Sequence, residues 1–243
     1  LLAGAGRGTG GIPEAVLSTM LVLPPNDVGL VEEALRQKKV AAVILEPTGA
    51  HMGASPILPD FLQQLREVTA RYEVVLIFDE VVTGFRTSRG GAQEYFGIDP
   101  DMTTLAKILG GGLPAGAVTG KAEIIDMIAH RGDPDWDNTQ RISHPGTFNA
   151  NPLSATAGIA TLNIIANEPV NERADAMAAR LKAGLRDAMN RMEVPGHVHG
   201  LASIVHVALG IEADDQEIST VPHARLAEAT AGDRSSQVKL AML

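Results

Sequence analysis

The sequence predicts an α/β protein, with a mostly parallel sheet flanked by helices. Two observations carry this. The runs VAAVILE (40–46) and VVLIFDE (74–80) are apolar on both faces, the signature of buried strands. Stretches with helical spacing alternate with them, and strands joined through helices pair in parallel.

Taken in order, STMLVL (18–23) reads as a short apolar strand. NDVGLVEEALRQKK follows with a capping residue, then Val31 and Leu35 at helical spacing. After the strand at 40–46 comes PDFLQQLREVTARY (59–72), where Phe61, Leu62, Leu65 and Val68 form one stripe of an amphipathic helix. After the strand at 74–80, TTLA and AGAVTG are two weaker strands, and KAEIIDMIAH a helix. RGDPDWDNTQRISHPGT is a polar, irregular loop, of a length that points to function or disorder. Asn151 is a good cap and Pro152 suits the first helical position of NPLSATAGIATLNII. NERADAMAARLKAGLRDAMNRM is a second long helix, with Ala174, Met177, Leu181, Leu185 and Met189 on one stripe and its methionines expected in the core. LASIVHVALG reads as a strand beyond it. A boundary near residue 165 divides the chain into a large domain, 1–165, and a smaller one, 166–243.

Composition narrows the function. The 243 residues are 45% apolar, enough for a substantial core. A net charge of -9 argues against a nucleic-acid or anionic-membrane surface. There is no cysteine, which excludes disulfides, thiolate chemistry and Cys-based zinc sites. No apolar run approaches the ~18 residues of a membrane helix, and the N-terminus has no signal pattern. A cytoplasmic protein is expected. The chain opens at Leu1 inside LLAGAGRGTGG and stops at SSQVKLAML, which reads as the first turns of a helix. An internal piece of a longer polypeptide is the expectation.

Two strand ends carry charge. Asp79 and Glu80 follow five apolar residues, where an α/β sheet presents side chains to a ligand crevice. A solvated loop acid is the plain alternative. An NTPase strand would need a phosphate loop, and in GGGLPAGAVTGKAE the residue after Lys121 is Ala122, not Ser or Thr. The second is Lys107, in TTLAKILGGGLPAGA. A lysine and an aspartate on neighbouring strand ends suggest one chemistry: the amine condenses with the aldehyde of pyridoxal phosphate, and the carboxylate pairs with the pyridinium nitrogen. Small residues after the lysine let the backbone pass close to cofactor and substrate.

Three stretches carry a resemblance: EPTGAHMG, IFDEVVTGFRTSRGGAQEYFGIDPDMTTLAKILGGGLPAGA and HPGTFNANPLSATAGIATL. In order and spacing they resemble the class III aminotransferases, pyridoxal-phosphate enzymes of fold type I. Within the class, GGAQEYFGIDPDMTTLAKILGGGLPAGA is most similar to the glutamate-1-semialdehyde 2,1-aminomutases and their aminotransferase relatives. The resemblance runs from about residue 10 to 230. It implies that 1–165 is a cofactor-binding domain without its N-terminal part, and 166–243 part of a small α+β domain. It implies that Lys107 is the Schiff-base lysine and proton carrier, and that Asp79 is the partner of the ring nitrogen. Val81 would pack on the ring, Thr147 and Gly146 would bind the cofactor phosphate of a neighbouring subunit in a homodimer, and Glu46 would belong to the site wall. His51 stands where the aminomutase pattern has asparagine, near the ring oxygen. That departure favours an aminotransferase, moving an amino group between an amino acid or amine and a keto acid or aldehyde. The aminomutase, which transfers within one molecule, is the alternative. A non-catalytic α/β fragment is the rival of another class.

Other residues are read more plainly. His197 and His199 have a spacing that metal sites use in strands, without a third ligand nearby in sequence, and are read as structural. His206 is expected to pack on a sheet face. Trp136 could touch substrate or lie at an interface, and EADDQE is expected to be a solvated loop.

Overall fold

Four strands form the main sheet, in the order β1 (Ala42–Leu45), β3 (Val75–Glu80), β4 (Met102–Ala106) and β5 (Gly116–Gly120). The structure is a computed structural model and describes residues 11–37, 40–49, 53–214, 217–222, 225–226 and 229. β1, β3 and β4 run parallel, whereas β5 returns antiparallel to β4. The segment 107–115 between β4 and β5 is shorter than the dozen or so residues of a parallel crossover, so the chain folds back. The minimal pair β2 (Ser55–Pro56) bridges back to Gly49.

The core lies on one face of this sheet. Val31 and Leu35 of α2 (Val28–Gln37) and Phe61, Leu62, Leu65 and Val68 of α3 (Pro59–Arg71) pack with Leu76 and Phe78 of β3 and Val43 and Leu45 of β1. The amphipathic stripe drives this, at roughly 25 cal/mol per Å² of apolar surface removed from water. Alternation along β3 buries Leu76, Phe78 and Glu80, while Ile77 and Asp79 stay half-buried on the other face.

Asp101 ties three elements together. Its carboxylate accepts from the Leu76 amide (2.7 Å), from Arg66 Nη1 (2.9 Å) and from Lys121 Nζ (2.6 Å). Burial alone would raise its pKa, but the Leu76 amide, Lys121 and Arg66 together hold it below the ordinary aspartate value. A depressed folded-state pKa contributes stability above the unfolded value that is lost as pH falls through the folded one. Asp101→Asn is therefore expected to cost about 2 kcal/mol at pH 7 in denaturant unfolding. The gap to the parent should narrow below about pH 4.

A second sheet pairs β6 (Gly196–His199) antiparallel with β7 (His206–Leu209), against α7 (Val170–Arg191). Lys182 Nζ donates to the Gly200 carbonyl (2.9 Å), and Arg186 Nε and Nη2 to that of Val198.

Several expectations are corrected. Residues 18–23 form no strand; they follow the one-turn α1 (Glu14–Leu17), and Met20, Leu21 and Val22 lie exposed with no partner strand among the described residues. The helix expected at 121–130 is a single turn, α5 (Ala122–Ile125), continued as a 3-10 turn to Ile128. The polar loop after residue 130 contains a π turn, Trp136–Gln140. The stripe on α7 is not a core stripe: Met177 and Leu181 are 53% and 54% exposed, and Ala178 alone on that helix is fully buried. Asn151 does cap α6 (Pro152–Asn167), its side chain accepting from the amides of Leu153 and Ser154, with Pro152 in the first turn.

Candidate active site

Parallel pairing brings three carboxyl ends to one edge of the sheet. Leu45 pairs with Phe78, and Asp79 with Thr104. Glu46 is the residue just past β1, Asp79 the penultimate residue of β3, and Lys107 the first residue past β4. These are neighbouring strands, with β3 in the middle. An acid, an acid and an amine therefore stand side by side where open α/β sheets bind ligands.

Asp79 is held by one oxygen. The Val81 amide (3.1 Å) and the Thr104 hydroxyl (3.2 Å) both donate to Oδ1. Oδ2 accepts no hydrogen bond among the described residues and remains open to a donor. The adjacent Glu80 goes the other way. Fully buried, it accepts from Thr83 Oγ1 (2.9 Å), the amides of Ala92 (2.5 Å) and Gln93 (3.1 Å), and Gln93 Nε2 (3.2 Å). It anchors α4 (Gly91–Phe96) and faces no ligand crevice.

Lys107 has φ +46°, a left-handed conformation that costs a side-chain-bearing residue energy. It opens a 3-10 turn, Lys107–Gly110, and its side chain is exposed, with no hydrogen bond or ion pair among the described residues. A cavity of about 320 Å³ touches it, lined by Val82, Arg86, Ile108 and Ile204. Two more left-handed residues adjoin this cavity, Phe85 (φ +61°) before Arg86 and Ala202 (φ +50°) before Ser203. Arg86 Nη1 donates to Ser203 Oγ (3.0 Å), and Asn171 Nδ2 to the carbonyls of Phe85 and Arg86 (3.0 Å each). Strain of this kind gathers at functional sites because the surroundings hold it in place.

The glycines after Lys107 have a packing reason. At Gly111 (φ +58°) a Cβ would strike the Ala157 carbonyl and Thr161, and at Gly158 one would strike the Leu109 carbonyl. The loop after the lysine and α6 thus meet backbone to backbone.

The remaining expected site residues are placed less tightly. Val81 follows β3 directly, and its amide fixes Asp79. Gly146 and Thr147 sit exposed on the loop before α6 and do not line the Lys107 cavity. They adjoin a larger cavity of about 740 Å³ lined by Leu109, His144, Phe148, Asn151, Gly158 and Ile159, among others. His51 lies outside the described residues. Trp136 is occupied by its own loop, under Arg131 (3.5 Å from the ring centre), with Nε1 donating to the Ala129 carbonyl (2.9 Å). His197, His199 and His206 form a stack, with ring centres 5.8 and 5.4 Å apart, and among the described residues they join no cluster fit for a metal.

Thr104, Phe85, Arg86, Asn171 and Ser203 were not singled out by sequence reasoning. Thr104 was within reach, since a strand-to-strand register would have placed it opposite Asp79. Nothing in the sequence marks Ser203 or Asn171 as partners of a turn more than eighty residues away.

The class the geometry defines is an α/β scaffold with a lysine and a carboxylate on adjacent parallel strand ends. The chain belongs to the class III aminotransferase family, whose model matches residues 26–231. It is 45% identical to a glutamate-1-semialdehyde 2,1-aminomutase of Methanococcoides burtonii over 204 residues, 82% of this chain and 46% of that one. The corresponding protein of Sulfolobus acidocaldarius is 42% identical over 221 residues, 89% of this chain and 49% of that one. Among solved structures, an omega-transaminase from Sphaerobacter thermophilus matches with TM-score 0.79 and 36% identity, covering 93% of this chain and 49% of that one. A glutamate-1-semialdehyde-aminomutase variant from Pseudomonas aeruginosa in complex with PMP matches with TM-score 0.69 and 28% identity, covering 85% and 46%. The chain spans about half the length of the curated relatives it matches.

Proposed function

We propose that the protein is a pyridoxal-phosphate-dependent aminotransferase that moves an amino group from an amino acid or amine to a keto acid or aldehyde. One observation carries this reading: Asp79 and Lys107 stand on adjacent strand ends, each with an unused polar group. The donor set fits the cofactor. Among the described residues, Oδ2 of Asp79 is open to a ring N–H and the Lys107 amine has no other partner. Bound there, pyridoxal phosphate supplies an electron sink for charge that develops at the substrate carbon. Lys107 would hold the cofactor's aldehyde carbon, and its amine would move a proton at the substrate carbon. Asp79, fixed by Val81 and Thr104, keeps the ring nitrogen protonated. Val81 would pack on the ring and Glu46 would belong to the wall, while His51, outside the described residues, is assigned to the site by the resemblance alone.

A homodimer completes the site, with Gly146 and Thr147 holding the phosphate of the neighbouring subunit. Both are exposed, and the apolar side chains around them are uncovered: Phe148 is 80% exposed, Leu153 69% and Ile159 63%. The reading also divides the chain near residue 165 and places the enzyme in the cytoplasm. Among the described residues no helix is long and apolar enough to cross a membrane.

The second reading, an intramolecular aminomutase, is favoured by the relatives of that name. A screen of amino donors and acceptors separates the two. Product formed only with both donor and acceptor supports the transaminase, whereas conversion of glutamate-1-semialdehyde with no keto acid added supports the aminomutase. Asp79→Asn should lower kcat about a hundredfold or more, as losing one aligned electrostatic group does, with little change in thermal midpoint.

A further inference from the structure

Another cavity, of about 380 Å³, opens between the segment after β1 and the α7–β6 unit. Thr48 forms its polar wall on one side, Lys182, Arg186 and His199 on the other, with Phe96 and Ile218 as apolar sides. His199 is 4% exposed and Thr48 5%. Among the described residues neither His199 ring nitrogen nor the Thr48 hydroxyl has a hydrogen-bond partner. The Gly53 and Ala54 backbone stands close enough to act on the ring, raising its pKa as a carbonyl facing an imidazole N–H does, though at a geometry too loose for a full hydrogen bond. Buried polar atoms are nearly always satisfied. Under-satisfied polar atoms on two facing walls of one cavity therefore point to an occupant.

The charges say what kind. The bonds of Lys182 to Gly200 and of Arg186 to Val198 fix two cations at the wall, and no carboxylate lines it among the described residues. Asp175, two turns earlier on α7, is the acid in electrostatic contact with Lys182. Burial, then the His206 and His197 rings, push His199 down to about 4, so it is neutral near pH 7. A neutral imidazole offers one N–H and one lone pair. With the Gly53 and Ala54 backbone at the ring to face its N–H, the occupant must bring negative charge for the two cations and a donor for the ring's lone pair. Carboxylates and sulfate have no proton to give at neutral pH. Inorganic phosphate has anionic oxygens and always at least one P–OH.

We propose that this cavity is a binding site for inorganic phosphate, separate from the Lys107 site, with Lys182 and Arg186 on the anionic oxygens and His199 and Thr48 on the others. The test is imidazole proton–carbon NMR of the histidine-labelled protein, titrated with phosphate and, at matched ionic strength, with sulfate. The His199 signals should move saturably with phosphate and respond to sulfate at least about tenfold more weakly. Lys182→Met and Thr48→Val should each raise the phosphate Kd about tenfold, the loss of one good polar contact. Thr48→Val keeps the shape and decides the matter if Lys182→Met fails to fold. No saturable shift, equal response to sulfate, or Thr48→Val binding like the parent would overturn the site and leave water as its occupant.

Discussion

Lys107→Ala is expected to remove both the visible absorption of lysine-bound cofactor and amino-transfer activity, the latter by about 10³-fold or more, as loss of a covalent catalyst does. The fold should survive. Lys107 is exposed, and no hydrogen bond or ion pair to it among the described residues is lost. Its left-handed backbone (φ +46°) adds a second, sharper expectation. A residue with a Cβ spends roughly 1 kcal/mol to sit there, and glycine does not. Lys107→Gly should therefore be as inactive as the alanine variant while its thermal midpoint stays level or rises. A large drop in the midpoint of Lys107→Gly would mean that the lysine serves the fold, and the catalytic assignment would weaken.

Glu80→Ala should be among the most destabilising single changes in the chain. The carboxylate is fully buried, and its loss strands the Thr83 hydroxyl and the amides of Ala92 and Gln93. Leaving buried donors unpaired costs about 1–3 kcal/mol each. Part of that is recovered when water enters, so a net loss of about 3–4 kcal/mol is expected. For a chain of this size that is about 10 °C in thermal midpoint, measured by calorimetry. Glu80→Gln keeps the shape but turns an N–H₂ toward groups that donate, so it should fall between parent and alanine. Gly91 is part of the same device. It has φ +77°, and a Cβ on it would collide with the Glu80 carboxylate. Asp79→Asn, one residue away, should behave in the opposite manner, stable but nearly inactive.

This contrast shows what the sequence could and could not say. The pair Asp79–Glu80 was legible as charge at a strand end, because five apolar residues before it fix the strand. The resemblance names Asp79 rather than Glu80 as the ligand-facing acid, and period-two alternation agrees once Leu76 and Phe78 are assigned to the core. Helices α2 and α3 were legible because their apolar stripes are unbroken. Residues 18–23 misled because an apolar run of that length fits a strand only when a partner lies beside it. The stripe on α7 misled in the same way: periodicity shows which residues share a face, not whether anything covers that face. Long-range partners such as Arg86 with Ser203 left no local trace.

The most direct test of the central claim is chemical. The protein is incubated with pyridoxal phosphate, reduced with borohydride, digested and mapped by mass spectrometry. The cofactor-derived mass is expected on the peptide containing Lys107, and is expected to be absent from that peptide when Asp79→Asn and Lys107→Ala are combined. A label that falls on Lys121 or Lys182 instead, with Lys107 unmodified, would contradict it.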